Sequence, residues 1–142
     1  MENSDFFDAD VPVMNQASGY ITQGGSTTGQ AVRRNNIYTR PKRGSSAGGG
    51  YSTAPDLLRF ANALKAGKLV VPRYDPAGAQ RPGAGGRGNA GLGIAGGAPG
   101  INATLDTDIA GHYTVIVMAN YDPPAAVNVA RQIRQWLAGA SN

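Results

Sequence analysis

The sequence predicts a mixed α/β (α+β) fold, with antiparallel strands packed by a C-terminal helix and a second, capped helix ahead of them. Three observations carry this expectation. Tyr113–Ala119 is a run rich in β-branched and aromatic residues, interrupted only by Thr114, which suits a strand buried on both faces. Before it, Ile101–Thr107 alternates apolar and polar side chains, as a strand with one wet face does. Third, Ala126, Val129, Ala130, Ile133, Trp136 and Leu137 recur at helical spacing and form one apolar stripe.

Taken in order, residues 1–20 read as irregular, and residues 21–50 as a polar loop with one short strand at Asn36–Thr39. Ser52-Thr-Ala-Pro-Asp56 is a helix start. Thr53 can accept a hydrogen bond from the first turn, Pro55 needs no donor there, and Asp56 completes a capping-box pattern at the positive helix end. Leu57, Phe60, Ala61 and Leu64 then share a face, and Lys65 with Gly67 stops the helix, which is placed at 54–66. Residues 72–90 hold prolines and glycines and almost nothing apolar, so they read as a mobile loop. Residues 108–112, with Gly111, read as a hairpin turn that leaves His112 on the surface. Asp122-Pro-Pro124 ends the last strand and starts the final helix, on which Arg131 and Arg134 lie towards the negative end.

At 142 residues the chain is at most one domain, and its apolar blocks are separated by long polar and glycine-rich tracts. Two helices and a hairpin bury too little for a complete domain of that length, so the chain reads as part of one. With no cysteine, disulfides and thiolate metal sites do not arise, and His112 is the only histidine. Neither a cofactor nor a metal is expected. The Tyr113–Ala119 run is far short of the ~20 residues that span a bilayer, so no membrane span is expected. No signal peptide is visible, and the sequence assigns no compartment.

Several motif matches have ordinary explanations. Gly83/Gly85/Gly88 and Gly91/Gly93/Gly96 fit G-x-G-x-x-G, but a polar loop precedes them, and Pro99 with Gly100 blocks the helix that a dinucleotide site requires. Gly44-Ser-Ser46-Ala-Gly48 fits G-x-S-x-G, yet no core strand leads into it and more glycines follow, so Ser46 reads as linker. Arg33, Arg34, Arg40, Lys42 and Arg43 give a basic cluster with the single aromatic Tyr38. That is too narrow for a nucleic-acid platform, and no nucleic-acid partner is expected.

The ordered set of segments says more than any one motif. Ala47-Gly-Gly-Gly-Tyr-Ser-Thr-Ala-Pro-Asp-Leu-Leu-Arg-Phe60 is followed by Gly91-Leu-Gly-Ile-Ala-Gly-Gly-Ala-Pro-Gly100, then by Tyr113–Asn120, Asp122-Pro-Pro124 and a terminal helix. Together they resemble the C-terminal half of the serine β-lactamase-like family, which includes class C β-lactamases, penicillin-binding peptidases and related esterases. The resemblance covers nearly all of residues 1–142 and implies the C-terminal portion of a β-lactamase/transpeptidase-like sandwich, an antiparallel sheet with a packed C-terminal helix. It also implies acyl transfer on an ester, amide or lactam by a serine activated by lysine.

The catalytic residues are missing. No S-x-x-K occurs, and none of the tyrosines begins Y-x-N, so the resemblance predicts a partial chain that is inactive alone and assigns it no catalytic residue. The family's third motif, usually K-T-G or H-x-G, aligns with Ile94-Ala95-Gly96, where isoleucine replaces the polar first residue. Substrate-binding positions implied by the resemblance are therefore Ile94, Gly96 and Gly97, with the Gly97 backbone N–H as an oxyanion donor. The expected partner is a small-molecule or peptide acyl substrate, bound once the missing half is supplied. A chain cut here keeps an exposed sheet edge, which predicts self-association or poor solubility. The alternative reading is a non-catalytic relative that binds a peptide or cell-wall fragment.

Overall fold

The computed structural model describes residues 1–23, 32–69, 92–107 and 113–140. Among them are five strands, two α-helices and one short 3-10 helix, a mixed α+β arrangement with antiparallel pairing throughout both sheets. Strands β1 (Tyr20–Gln23) and β2 (Val32–Asn35) form a two-stranded ribbon. Strands β3 (Leu92–Ala98), β4 (Ile101–Thr107) and β5 (Thr114–Ala119) form a three-stranded sheet in that order.

Helix α1 (Ala54–Lys65) begins as the sequence indicates, with Thr53 Oγ1 accepting from the Asp56 amide at 3.3 Å. It ends where Gly67 takes φ +66°. The amides of Gly67 and Lys68 then turn back to the carbonyls of Leu64 and Ala63, a Schellman closure. Asp56 does not close the expected capping box. Its carboxylate is fully buried and accepts from the amides of Glu2 and Asn3, from Ser4 Oγ and from Arg59.

Helix α2 (Ala125–Ala140) lies on the three-stranded sheet over β4 and β5, while α1 packs on β5. The contacts fix which face each helix covers. Asn102 reaches the first turn of α2 and Asp106 pairs with Arg134 at 3.0 Å, so the even residues of β4 face α2. Cross-strand partners share a face, which adds Val115, Val117 and Ala119 to that side. The opposite face carries Leu105, Thr107, Thr114, Ile116 and Met118, and there Lys65 of α1 donates to Thr114.

Four further expectations are corrected. The strand placed at Asn36–Thr39 is a 3-10 turn at Ile37–Thr39, because the Asn35 carboxamide accepts from the Ile37 amide and bends the chain away from extended geometry. Residues 21–50 are not all loop, since Tyr20–Gln23 pairs with Val32–Asn35 through backbone bonds that do not depend on apolar side chains. The last strand is not buried on both faces: Val115 is buried, but Met118 is 45% exposed where α1 fails to cover it. On α2 the stripe divides, with Ala126 and Ala130 buried but Val129 and Trp136 exposed. The loop expected at 72–90 and the turn carrying His112 lie outside the described residues.

Candidate functional site

The sequence-predicted positions all fall on β3, an outer strand of the sheet with no ladder partner on its far side among the described residues. Pro99 and Gly100 make the two-residue turn into β4, with Gly100 at φ +73°, a conformation glycine takes without strain. The turn closes on the Ala98–Ile101 pair, and in an antiparallel ladder hydrogen-bonded and non-hydrogen-bonded pairs alternate. Counting back, the Gly96 carbonyl faces β4, where Asn102 Nδ2 also reaches it at 2.9 Å. The Gly97 N–H therefore projects from the free edge.

The two glycines differ in what they face. A Cβ on Gly97 would sit 2.6 Å from Pro123 Cγ and 3.2 Å from Asn102 Nδ2, so packing under the start of α2 already requires glycine there. A Cβ on Gly96 would meet nothing within 4 Å. Gly96 and Ile94 lie on the sheet face away from α2, and Ile94 is 45% exposed. The edge therefore offers one outward amide and an open face of small and apolar side chains.

The far end of this strand is held by three side chains whose role the sequence did not reveal. Asn36, 2% exposed, donates from Nδ2 to the Pro99 carbonyl at 3.0 Å. Asp122 accepts from the Gly100 amide at 2.8 Å and from the Thr22 amide at 2.7 Å, joining the β3–β4 turn to β1. Those two amides hold its carboxyl below the usual carboxylate range against the opposing effect of burial. Asn102 accepts from the Ala126 amide at 2.8 Å, so a side chain from β4 caps α2. The only available signal was Asp122 ahead of two prolines; the asparagines carry no local pattern.

Beside this end, Tyr20 and Tyr121 lie with ring centroids 6.4 Å apart, and the Arg33 guanidinium stands 4.9 Å over the Tyr121 ring. Ser46 occupies a surface turn between Ser45 and Gly48, and no helix follows it directly. Gly93 and Gly96 lie inside β3, which leads into a turn and not a helix, so they do not form a dinucleotide-binding turn. Among the described residues, no three His, Cys, Asp or Glu side chains converge on a possible metal position, and no helix is long and apolar enough to cross a membrane. No family model, curated protein or solved structure matches the chain.

Proposed function

We propose that this chain is the C-terminal portion of a β-lactamase-like serine hydrolase domain, supplying the wall of an acyl-transfer site and one oxyanion donor. The observation that carries the reading is the outward Gly97 amide on the edge of β3 that has no ladder partner among the described residues, anchored by Asn36 and Asp122. A substrate carbonyl laid along that edge would receive the amide hydrogen as its oxygen gains charge, and Gly96 leaves its approach unobstructed. The attacking serine and its activating lysine must come from other polypeptide, since S-x-x-K and Y-x-N do not occur here. Alone, the chain forms no acyl-enzyme.

Two measurements test this. A fluorophosphonate or β-lactam incubated with the purified chain should leave its intact mass unchanged; a stoichiometric adduct would refute inactivity. Mixing the chain with a separately produced polypeptide bearing S-x-x-K and Y-x-N should restore ester or lactam hydrolysis. Failure of every such pairing to bind or turn over would count against the family reading itself.

Ile94 favours a second reading. Where the family has a polar residue, this chain exposes an isoleucine that cannot orient a carboxylate or share a proton. An extended peptide or cell-wall fragment pairing with the β3 edge would use the same amide row and bury Ile94. Saturable binding of an extended peptide, lost in Ile94→Asp, with no turnover in any reconstituted pair, would select this alternative.

A further inference from the structure

The peptide that joins Gly96 to Gly97 has glycine on both sides, so no side chain of its own resists rotation of its plane. Its N–H is the outward donor at the β3 edge. Its C=O points the opposite way, into the ladder, where the register gives it the Ala103 amide. Asn102 Nδ2 donates to the same oxygen at 2.9 Å, which fills both of its lone pairs. Turning this peptide over would break both bonds. The second belongs to a side chain only 3% exposed, beside Pro123, which closes that face of the strand over Gly97.

Asn102 is itself gripped from the other side. Its Oδ1 accepts from the Ala126 amide at 2.8 Å and from the Val127 amide at 3.4 Å, in the first turn of α2. Amide donors on one side and a carbonyl acceptor on the other fix which end of the carboxamide is oxygen and which nitrogen. The bonds then all run one way: from α2 to the Asn102 oxygen, from the Asn102 nitrogen to the Gly96 oxygen, and from the Gly97 nitrogen outward. Each donor draws electron density from the amide it binds, so every N–H further along becomes a better donor. The positive end of α2 stands at the head of the series. Ala95 supplies the contrast. Its amide also faces outward, two residues back, but among the described residues no side chain donates to the Ile94 carbonyl behind it.

We propose that Asn102 is the positioning residue for the edge donor, holding the Gly97 N–H outward and passing to it the polarity of the first turn of α2. The inference rests on the reading that this amide donates to an acyl oxygen. That oxygen carries most charge in the transition state, so a fixed and polarised donor acts mainly there and little on the bound ground state. Asn102 touches no substrate and moves no proton in this role. Its loss should therefore appear in kcat and leave KM nearly unchanged.

The test uses N102D, which keeps an acceptor for Ala126 and Val127 and, once ionised, removes the donor to Gly96. Its first arm is NMR of the labelled 142-residue chain and needs no activity. In the parent, a scalar coupling across the hydrogen bond should link Asn102 Nδ2 to the Gly96 carbonyl carbon. In the variant, at a pH where the introduced carboxyl is ionised by its own carbon shift, the Gly96 carbonyl carbon and Gly97 nitrogen should move upfield while the Ala95 amide stays in place. Protonating that carboxyl restores an O–H donor and should reverse the shift. No coupling in the parent overturns the proposal whether or not the variant folds, and so do equal shifts at Ala95 and Gly97. The second arm is the variant in a reconstituted, hydrolytically active pair. There kcat should fall about tenfold with KM within about twofold, short of the 10²–10³ lost with an oxyanion donor itself. An unchanged kcat, or a change in KM alone, overturns the role of Asn102 and leaves the acyl-transfer reading standing. The expected NMR shifts without any active pair support the relay and count against acyl transfer.

Discussion

Up to residue 69 the chain is drawn together by polar side chains that reach distant backbone, whereas from residue 92 it is organised by a β-ladder beneath a helix. In the first region Asp56 collects the amides of Glu2 and Asn3, and Asn36 reaches across to Pro99. These two are the largest fully buried side chains described. In the second, Val115, Ala126 and Ala130 make a thin apolar layer between the sheet and α2, and Leu105 is buried on the opposite face of the sheet. Hydrogen bonds to buried groups tolerate the loss of a partner poorly, while small apolar side chains in a shallow layer lose less when trimmed. The first region should therefore be the more sensitive to single substitutions, though it holds less regular structure.

The sharpest way to break that contrast is Asp56→Ala. It removes the acceptor of two backbone amides and the partner of Ser4 and Arg59, and should give the largest loss of stability of any substitution named here, read as a fall in urea midpoint. Amide exchange at residues 2–4 should accelerate well before the sheet opens. Acid should act in the same direction. Burial alone would raise the Asp56 carboxyl, but the hydrogen bonds from Ser4, Asn3, Glu2 and Arg59 outweigh it, and Asp122 is lowered as well. Both groups thus stay ionised in the fold below the usual value of 3.8. The unfolded chain takes up protons first, so this stabilisation is complete above that value and declines as pH falls beneath it. A urea midpoint that is flat from pH 5 to about pH 3 would contradict the assignment.

Next in size is Asn36→Ala, which strands the Pro99 carbonyl and should cost about 2–3 kcal/mol in denaturant unfolding, more than any single alanine trim of an apolar residue on β5. Equal losses from Asn36→Ala and Val115→Ala would remove the distinction between the regions. Gly97→Ala should cost about 1–2 kcal/mol through its collision with Pro123, while Gly96→Ala should lie within about 0.5 kcal/mol of the parent. Comparable effects at both glycines would show that β3 is not placed as described. The smallest effect has the opposite sign. Thr107 is 2% exposed and its hydroxyl has no hydrogen-bond partner among the described residues, so Thr107→Val should stabilise by up to about 1 kcal/mol.

The sequence conveyed the second region far better than the first. Periodicity placed β4 and α1 to within a residue and marked where α2 begins, and the Thr53 cap and Gly67 stop were legible because they are local. The β1–β2 ribbon was missed because its strands have little apolar alternation and pair through backbone alone. The burial of Asp56 was missed for a related reason: apart from Arg59, its partners Glu2, Asn3 and Ser4 lie more than fifty residues away, and no local pattern marks them. At the candidate site, Gly96 and Gly97 were singled out by the resemblance, but their different surroundings depend on Pro123 and on the strand's alternation, which only the register reveals. Asn36 and Asn102 carried no signal, since a carboxamide that anchors a remote turn or caps a remote helix looks like any polar residue in its own segment.

Where Gly19 meets Gly100, a Cβ on Gly19 would stand 2.5 Å from the Gly100 carbonyl oxygen, and one on Gly100 would stand 3.0 Å from the Tyr20 amide nitrogen. Neither position has room for a side chain, and the tip between β3 and β4 has no slack for an inserted residue. Anyone wishing to retune what this edge recognises would do better to leave the tip alone and vary positions 94 and 96, where new atoms would point into open space.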